Sequence, residues 1–258
     1  MQITFVPKNE YKKYLKTELF FDMLDESNLF TKSNNKRKKL YNLFWVKNSF
    51  THFTRKFEYQ YIYQNIENKN LKILDAGCGI SFFPDYLLKK KTNLSISLLD
   101  NSNIVKKFYD KNENFEFLSE SLDDLQHLQR KYDLIYSIST IEHIPNYFKV
   151  IDEIYNSLKY DGEFLLTFDI SYSDKDLINI YNVEKFLDYI SIKFEKESQT
   201  VEKDYELLFN SHDLSKKDLP WRFPKLIYSI YYLFKKKKIN FWPPKITVAM
   251  LKVKKIEK

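Results

Sequence analysis

The chain has 258 residues, 43% of them hydrophobic and 30% charged. This composition excludes disordered and fibrous proteins and fits one α/β domain with helical additions. Its single cysteine excludes an intramolecular disulfide and a cysteine cluster for zinc, so we expect a reducing, cytoplasmic location. The formal net charge is +7, but nine lysines and one glutamate fall within residues 235–258, so the charge belongs to the tail and argues against the broad basic face of a nucleic-acid enzyme.

The N-terminal segment, residues 1–66, predicts helices and no clear strand. We expect it to form a helical cover ahead of a catalytic domain at residues 67–258. Arg55, Glu58 and Tyr59 fall on about one helical turn just before the first predicted strand. Either these side chains form part of a cover over a ligand, or they belong to a solvated helix face.

The central part of the chain alternates short apolar runs with amphipathic stretches, the pattern of parallel strands joined by crossover helices. Helical spacing of apolar residues also predicts a helix over residues 147–158, with Gly162 as its stop, and another at residues 183–194. We therefore expect an α/β fold with a doubly wound, mostly parallel sheet. The pattern allows six or seven strands, and we predict seven. The predicted strands are residues 71–76, 95–100, 115–118, 132–138, 163–169 and 246–253.

The first predicted strand runs into a turn that holds Gly77 and Gly79, two of the three glycines of the chain. A doubly wound sheet binds its nucleotide at this position, and glycine there allows a sharp turn and close approach of a ligand to the backbone. A glycine pair alone is a weak signal. However, Asp100 follows at the end of the second strand, where a carboxylate can accept hydrogen bonds from a ribose diol.

Residues 74–79, Leu-Asp-Ala-Gly-Cys-Gly, resemble the cofactor motif of the class I S-adenosylmethionine-dependent methyltransferases. The resemblance covers residues 71–171 in order and spacing, and this ordered set is more specific than any single motif. An NAD-binding domain, the structural competitor, would need a glycine at Phe82. Four other segments resemble the family, at residues 97–100, 117–121, 132–144 and 158–168.

The resemblance implies S-adenosyl-L-methionine as the cofactor and gives each position a role. Asp75 would act near the methionine ammonium, Asp100 would hold the ribose hydroxyls, and Ser139 would lie by the methionine moiety. Glu120 or the backbone of Ser121 would meet the adenine. The family's third glycine is replaced by Ser81 in this chain. The implied cofactor-binding residues are Asp75, Gly77, Gly79, Asp100, Glu120, Ser121 and Ser139.

A methyl acceptor must be placed in line with the sulfonium, and a base helps when the acceptor is an alcohol. His143 follows the fourth predicted strand and is the first candidate base, unless the Glu142-His143 pair only caps the next helix. Asp169 is the second candidate, unless it is only a carboxylate that starts a loop. Some relatives bind a metal through Glu-x-x-Glu-His, but Ser139 stands at the first glutamate position, so we predict no metal.

An insertion at residues 207–244 separates the last predicted helix from the last strand, where the family's common core has a simple hairpin. It contains a predicted aromatic helix, four consecutive lysines at 235–238 and Trp242. Either this helix packs on the sheet and the lysines are solvated, or it is an acceptor lid whose lysines attract an anionic acceptor or an acidic membrane surface. No apolar run reaches the roughly 20 residues of a spanning helix, so any membrane contact would be peripheral.

These observations predict an S-adenosylmethionine-dependent methyltransferase that acts on oxygen in a small molecule or a glycan. One alternative is a tRNA or rRNA methyltransferase that uses the basic C-terminal segment to bind phosphates. Another is a binding protein that keeps the fold and has lost catalysis. The identity of the acceptor and the oligomeric state stay open.

Overall fold

The computed structural model describes residues 1–34, 50, 52–110, 112–173, 178–194, 205–213 and 245–256. Its strands are β1 (Gln2–Phe5), β2 (Leu71–Ala76), β3 (Leu94–Leu99), β4 (Glu116–Leu118), β5 (Tyr132–Ile138), β6 (Leu158–Ser171) and β7 (Ile246–Lys254). Its helices are α1 (Tyr11–Tyr14), α2 (Glu18–Ser33), α3 (Arg55–Asn65), α4 (Phe83–Lys90), α5 (Asn103–Tyr109), α6 (Tyr147–Ser157) and α7 (Val183–Phe194).

The seven strands form one sheet in the order β1-β7-β6-β5-β2-β3-β4. Neighbours from β6 to β4 pair in parallel, whereas β7 is antiparallel to both β6 and β1. This confirms the doubly wound, mostly parallel α/β fold. Because β2 lies between β3 and β5, the strand order reverses at β2, and sheets of this kind bind ligands in the crevice at the carboxyl ends of such strands.

The prediction of an N-terminal segment without strands is wrong at one place. Gln2–Phe5 form the edge strand β1, with Phe5 opposite Ala249 of β7. Four residues are too few for a periodic signal, and the strand is fixed by its pairing with β7 rather than by its own propensity. The boundary at residue 67 stays a prediction, although β1 shares the sheet of the domain that follows.

The predicted helix stop at Gly162 is also wrong, because α6 ends at Ser157 and β6 begins at Leu158. Gly162 lies inside β6, where a Cβ atom would stand 2.9 Å from the carbonyl oxygen of Lys159. A close approach of backbone therefore requires glycine at this position. The strand predicted at residues 163–169 is longer in the structure, where it spans Leu158–Ser171, and the remaining predicted strands begin and end within one residue of the observed ones.

The core has two layers, one on each face of the sheet. Successive side chains of a strand point to opposite faces, so Ile73 packs with α2, α3, α4 and α5 while Leu74 packs with α6 and α7. The N-terminal helices α2 and α3 thus build part of a core layer and are more than a cover. Phe57 and Ile62 bury one side of α3 in this layer, which places the start of α3 beside β5 and β6.

None of the helices described in the structure has the length and hydropathy required to span a bilayer. The predicted aromatic helix of the insertion, the lysines at 235–238 and Trp242 lie outside the described residues. From the insertion, the structure describes residues 207–213. There Leu208 forms a bridge with Pro7, and the Phe209 N–H donates a hydrogen bond to the Val6 carbonyl.

Candidate active site

A cavity of about 640 Å³ opens at the carboxyl ends of β2, β3 and β5. The candidate base His143 lines it and is exposed, whereas Asp169 is not among the lining residues. Every residue that the sequence assigned to cofactor binding lines this one cavity, so chain segments separated by more than 60 positions meet there. These residues are Asp75, Gly77, Gly79, Asp100, Glu120, Ser121 and Ser139.

The two glycines of the turn after β2 are needed for different reasons. Both have positive φ, +83° at Gly77 and +53° at Gly79. A Cβ atom on Gly77 would stand 2.3 Å from Cγ2 of Thr140, so this glycine makes room for a neighbouring side chain. A Cβ atom on Gly79 would meet no atom within 4 Å. The open space beside Gly79 is part of the cavity, as a ligand-binding turn requires.

Asp100 is held firmly at the end of β3. Its Oδ2 accepts a hydrogen bond from the Gly79 N–H at 3.1 Å, and its Oδ1 accepts one from the Ser102 N–H at 2.8 Å. Each carboxylate oxygen keeps a lone pair for a further donor. The carboxylate is therefore oriented and still able to accept hydrogen bonds from a diol.

The segment after β4 forms the opposite wall. Glu120 lies 3.2 Å from His127 Nε2, and the Ser121 hydroxyl donates to Asp123 Oδ1 at 2.5 Å. Both residues face the cavity as predicted. The Ser121 side chain has a partner on the protein, whereas Glu120 Oε2 is buried without a hydrogen-bond partner and can still accept a hydrogen bond from a ligand.

Asp75 is a buried acid at the centre of the cavity floor. The residue is 4% exposed, and its Oδ2 accepts a hydrogen bond from the Tyr136 hydroxyl at 2.9 Å. The pKa of Asp75 is raised to about 8, mainly by burial. The charge of Asp100 also raises this pKa, whereas the hydrogen bond from Tyr136 and the charge of Arg55 lower it. The group is therefore protonated near neutral pH, and an arriving cation would favour its ionised form.

A network around Glu58 joins α3 to the ends of β5 and β6. Glu58 is completely buried; its Oε1 accepts hydrogen bonds from the hydroxyls of Ser139 (2.6 Å) and Thr167 (2.7 Å). Its Oε2 pairs with Arg55 Nη1 at 2.7 Å, and Arg55 lines the cavity. Burial alone would raise the pKa of Glu58. The charge of Arg55 and the hydrogen bonds from the two hydroxyls outweigh that effect, so the pKa of Glu58 lies below its usual value.

The solvated-face alternative is therefore wrong for the buried Glu58 and Tyr59, whereas the Arg55 side chain is 22% exposed and lines the cavity. Tyr59 is 3% exposed, lines the cavity and stacks on Phe83. The sequence signal that could have placed Glu58 inside is the apolar pair Tyr61 and Ile62, three and four positions later on the same face of the helix and both buried.

Two further acids, Glu142 and Asp169, lie next to this network. Glu142 Oε1 accepts a hydrogen bond from the Asp169 N–H at 3.0 Å, whereas Glu142 Oε2 and Asp169 Oδ1 are buried without a hydrogen-bond partner. Burial raises the pKa of Glu142 to about 7. Burial, and then the charges of Glu142 and Glu58, raise the pKa of Asp169 well above its usual value.

Two expectations about this region need correction. Asp169 does not start a loop, because β6 continues to Ser171. The Glu142 carboxyl group does not cap the next helix, because its bond goes to the backbone of β6. Helix α6 begins at Tyr147, and the side chain of its cap residue Asn146 makes no capping hydrogen bond.

Comparison with known proteins gives a family profile that matches most of the chain and relatives that match part of it. A profile described as a methyltransferase domain matches residues 50–244. Malonyl-[acyl-carrier protein] O-methyltransferase 2 of Ilyobacter polytropus is 36% identical over 99 residues, which are 37% of this chain and 38% of that protein. Malonyl-[acyl-carrier protein] O-methyltransferase 1 of the same organism is 30% identical over 106 residues, which are 40% of this chain and 39% of that protein. The chain thus matches about two fifths of the length of these relatives.

Solved structures with low identity share the fold. A phosphoethanolamine N-methyltransferase 2 of Haemonchus contortus, in complex with phosphomonomethylethanolamine and S-adenosylhomocysteine, superposes with a TM-score of 0.55 and 14% identity. The match covers 92% of this chain and 60% of that one. The YcgJ protein of Bacillus subtilis gives a TM-score of 0.51 at 12% identity, covering 78% and 99% of the two chains.

Proposed function

Because this chain belongs to the methyltransferase-domain family, whose class I members use S-adenosyl-L-methionine, we propose that it transfers a methyl group from that cofactor to an oxygen atom of a small molecule or a glycan. The observation that carries the proposal is the convergence of Asp75, Gly79 and Asp100 on one cavity at the switch point of the sheet. Each of the three is arranged for a different part of the cofactor.

The residues present fit S-adenosyl-L-methionine from one end to the other. Asp100 has spare acceptor positions for the ribose diol, and Asp75 is a buried acid that a nearby ammonium group would ionise. Arg55 is the one lysine or arginine among the described lining residues, which suits the cofactor's carboxylate. When bound, the cofactor supplies a methyl group already activated by its sulfonium.

Oxygen as the target atom is supported by two facts. The two Ilyobacter polytropus relatives are named O-methyltransferases, and an exposed histidine, His143, lines the cavity. For a hydroxyl acceptor, the imidazole of His143 would take the proton as the new carbon–oxygen bond forms. A carboxylate acceptor would need no base.

Asp169 is the weaker candidate base. Asp169 is not among the residues that line the cavity, and its Oδ1 atom is buried. An acceptor held in the cavity would therefore meet His143 and not Asp169. We assign the base to His143.

The test is transfer of labelled methyl from S-adenosylmethionine to a panel of acceptors: malonyl thioesters, sugar nucleotides, simple polyols and transfer RNA. We expect label in an ester or ether of one of the non-RNA acceptors. With a hydroxyl acceptor, His143→Gln should lower kcat about 100-fold, since general bases contribute roughly 10² to 10⁴. With a carboxylate acceptor, the same variant should have little effect.

Other outcomes would redirect the proposal. Label in transfer RNA alone would favour the nucleic-acid alternative, and its affinity should then fall steeply with salt. Cofactor binding without turnover on any acceptor or on labelled cell extract would favour a binding protein. An unchanged kcat in His143→Gln with a hydroxyl acceptor would contradict the base assignment.

A further inference from the structure

We propose that Glu58 is a positioning residue that sets the polarity of the cavity at the methionine end of the cofactor. The inference rests on the proposed cofactor and assigns a role to a residue that touches no part of the cavity itself. Glu58 lies on α3 and reaches Ser139 after β5, Thr167 on β6 and Arg55 one turn before it. Of these three partners, Ser139 and Arg55 line the cavity and Thr167 does not.

The first effect of Glu58 is on Ser139. The Ser139 hydroxyl donates to Glu58, and its N–H donates to the Thr167 carbonyl at 2.9 Å. Both donors of Ser139 are therefore used within the protein. What Ser139 can still offer a ligand is hydrogen-bond acceptors, its carbonyl oxygen and the lone pairs of its hydroxyl. An ammonium group, which only donates, is the complementary ligand.

The conformation of Ser139 supports this reading. Its φ is +42°, in the left-handed region that serine rarely adopts. Conformations of this kind are unfavourable and persist where surrounding contacts over-determine them. The bonds to Glu58 and Thr167 are those contacts, and the residue they hold lines the same cavity as Asp75 and Gly77.

The second effect of Glu58 is on Arg55. The guanidinium has five N–H donors, and the bond from Nη1 to Glu58 Oε2 uses one. The guanidinium is charged with or without this bond, so the effect of Glu58 is to hold Arg55 in place at the cavity wall. The remaining donors can meet a carboxylate. Glu58 thus places acceptors and a cation side by side, as the zwitterionic amino-acid end of the cofactor requires.

A purely structural role would give a different pattern. If Glu58 only joined α3 to the sheet, its loss would weaken every ligand of the cavity in proportion to the damage. If Glu58 sets polarity at the methionine end, its loss should weaken only ligands that carry the amino-acid group. Two ligands separate these cases: S-adenosylhomocysteine and 5′-deoxy-5′-methylthioadenosine, which keeps the adenosine and thioether but lacks the amino acid.

The experiment is titration of both ligands into the full chain and into Glu58→Gln. A glutamine oxygen can accept the two hydroxyl bonds, but its NH2 then faces Arg55 and repels it. We expect S-adenosylhomocysteine to bind at least tenfold more weakly and methylthioadenosine to change less than twofold. Thr167→Val is the matched control, because it removes a bond to the same oxygen from the side away from the cavity. It should leave the ratio of the two affinities within twofold.

Folding and the proposed function are tested separately. If Glu58→Gln does not fold, Glu58→Asp carries the test, because it keeps the charge but is one methylene too short to hold both Arg55 and Ser139. Equal losses for both ligands, or no loss for either, would overturn the inference. An unaltered chain that binds neither ligand would overturn the proposed cofactor instead.

Discussion

The two ends of the cavity are built in different ways. The proposed adenosine end is made by the turn after β2 and by the segments that follow β3 and β4, with Gly79, Asp100 and Glu120 at successive strand ends. These groups are partly exposed and have acceptor positions open to a ligand. The proposed methionine end is made by α3, β5 and β6, where the buried Glu58 is bonded to Ser139, Thr167 and the partly exposed Arg55.

The two ends of the cavity also differ in the contacts that hold their residues in place. Residues at the adenosine end are fixed mainly by local backbone, since turns and strand ends hold them in place. Residues at the methionine end are fixed by contacts across the chain: Ser139 lies 81 positions from Glu58, and Thr167 lies 109 positions away. Changes at the adenosine end should therefore act through the backbone and direct ligand contacts, and changes at the methionine end through buried charge.

The largest effect is expected at Gly77. Gly77→Ala would force a positive φ on alanine and press its Cβ atom against the Thr140 side chain, so the free energy of unfolding should fall by about 3 kcal/mol. Gly79→Ala is the matched control, with positive φ but open space, and should cost about 1 kcal/mol. Urea denaturation measures both.

A second substitution identifies the cause of the loss at Gly77. Thr140→Ala should recover part of the stability of Gly77→Ala, because it removes the nearest atoms. Equal costs for the two glycines would contradict the assignment of Gly77 to packing and Gly79 to the open cavity.

This contrast also explains how much the sequence could predict. The strands and the adenosine-end residues follow from local patterns, so residues 71–76 and the positions of Gly77, Gly79 and Asp100 were placed correctly. The burial of Glu58 and the pairing of Glu142 with the Asp169 backbone depend on α3 and β6 meeting in space. No local pattern contains such contacts.

The edge strand was missed for a related reason. Gln2–Phe5 are held by β7, almost 250 positions later in the chain. A four-residue run gives no period long enough to distinguish a strand. The stop at Gly162 failed because the glycine is required by a close backbone approach inside β6 rather than by a helix end.

The second prediction concerns pH and the buried Asp75. Its pKa is about 8 in the folded chain against 3.8 for an ordinary aspartate. The folded state thus keeps a proton that the unfolded state loses. The contribution to stability is complete below pH 3.8 and is lost as pH rises through about 8. Between pH 5 and 7 this one group should lower the free energy of unfolding by about 2 kcal/mol.

Variants at two positions isolate this contribution. The raised pKa values of Glu142 and Asp169 also make the free energy of unfolding fall as pH rises. The contribution of Asp75 is therefore the difference between the unaltered chain and Asp75→Asn in the slope of the free energy of unfolding against pH. The slope of Asp75→Asn should be shallower by about 1 kcal/mol per pH unit. Tyr136→Phe removes the hydrogen bond that favours the ionised carboxylate and should extend the slope to higher pH. Parallel slopes for the unaltered chain and Asp75→Asn would show that Asp75 is ionised in the folded state.

The most direct test of the central claim is calorimetric titration of S-adenosylhomocysteine into the unaltered chain and into Asp100→Ala. We predict binding to one site in the unaltered chain. We also predict affinity at least tenfold weaker in the variant, about 1.4 kcal/mol, through loss of the acceptor for the ribose diol. Asp100→Asn keeps the shape of the side chain and should lie between the two. No binding by the unaltered chain at millimolar ligand would contradict the cofactor, and an unchanged affinity in Asp100→Ala would contradict the placement of the ribose.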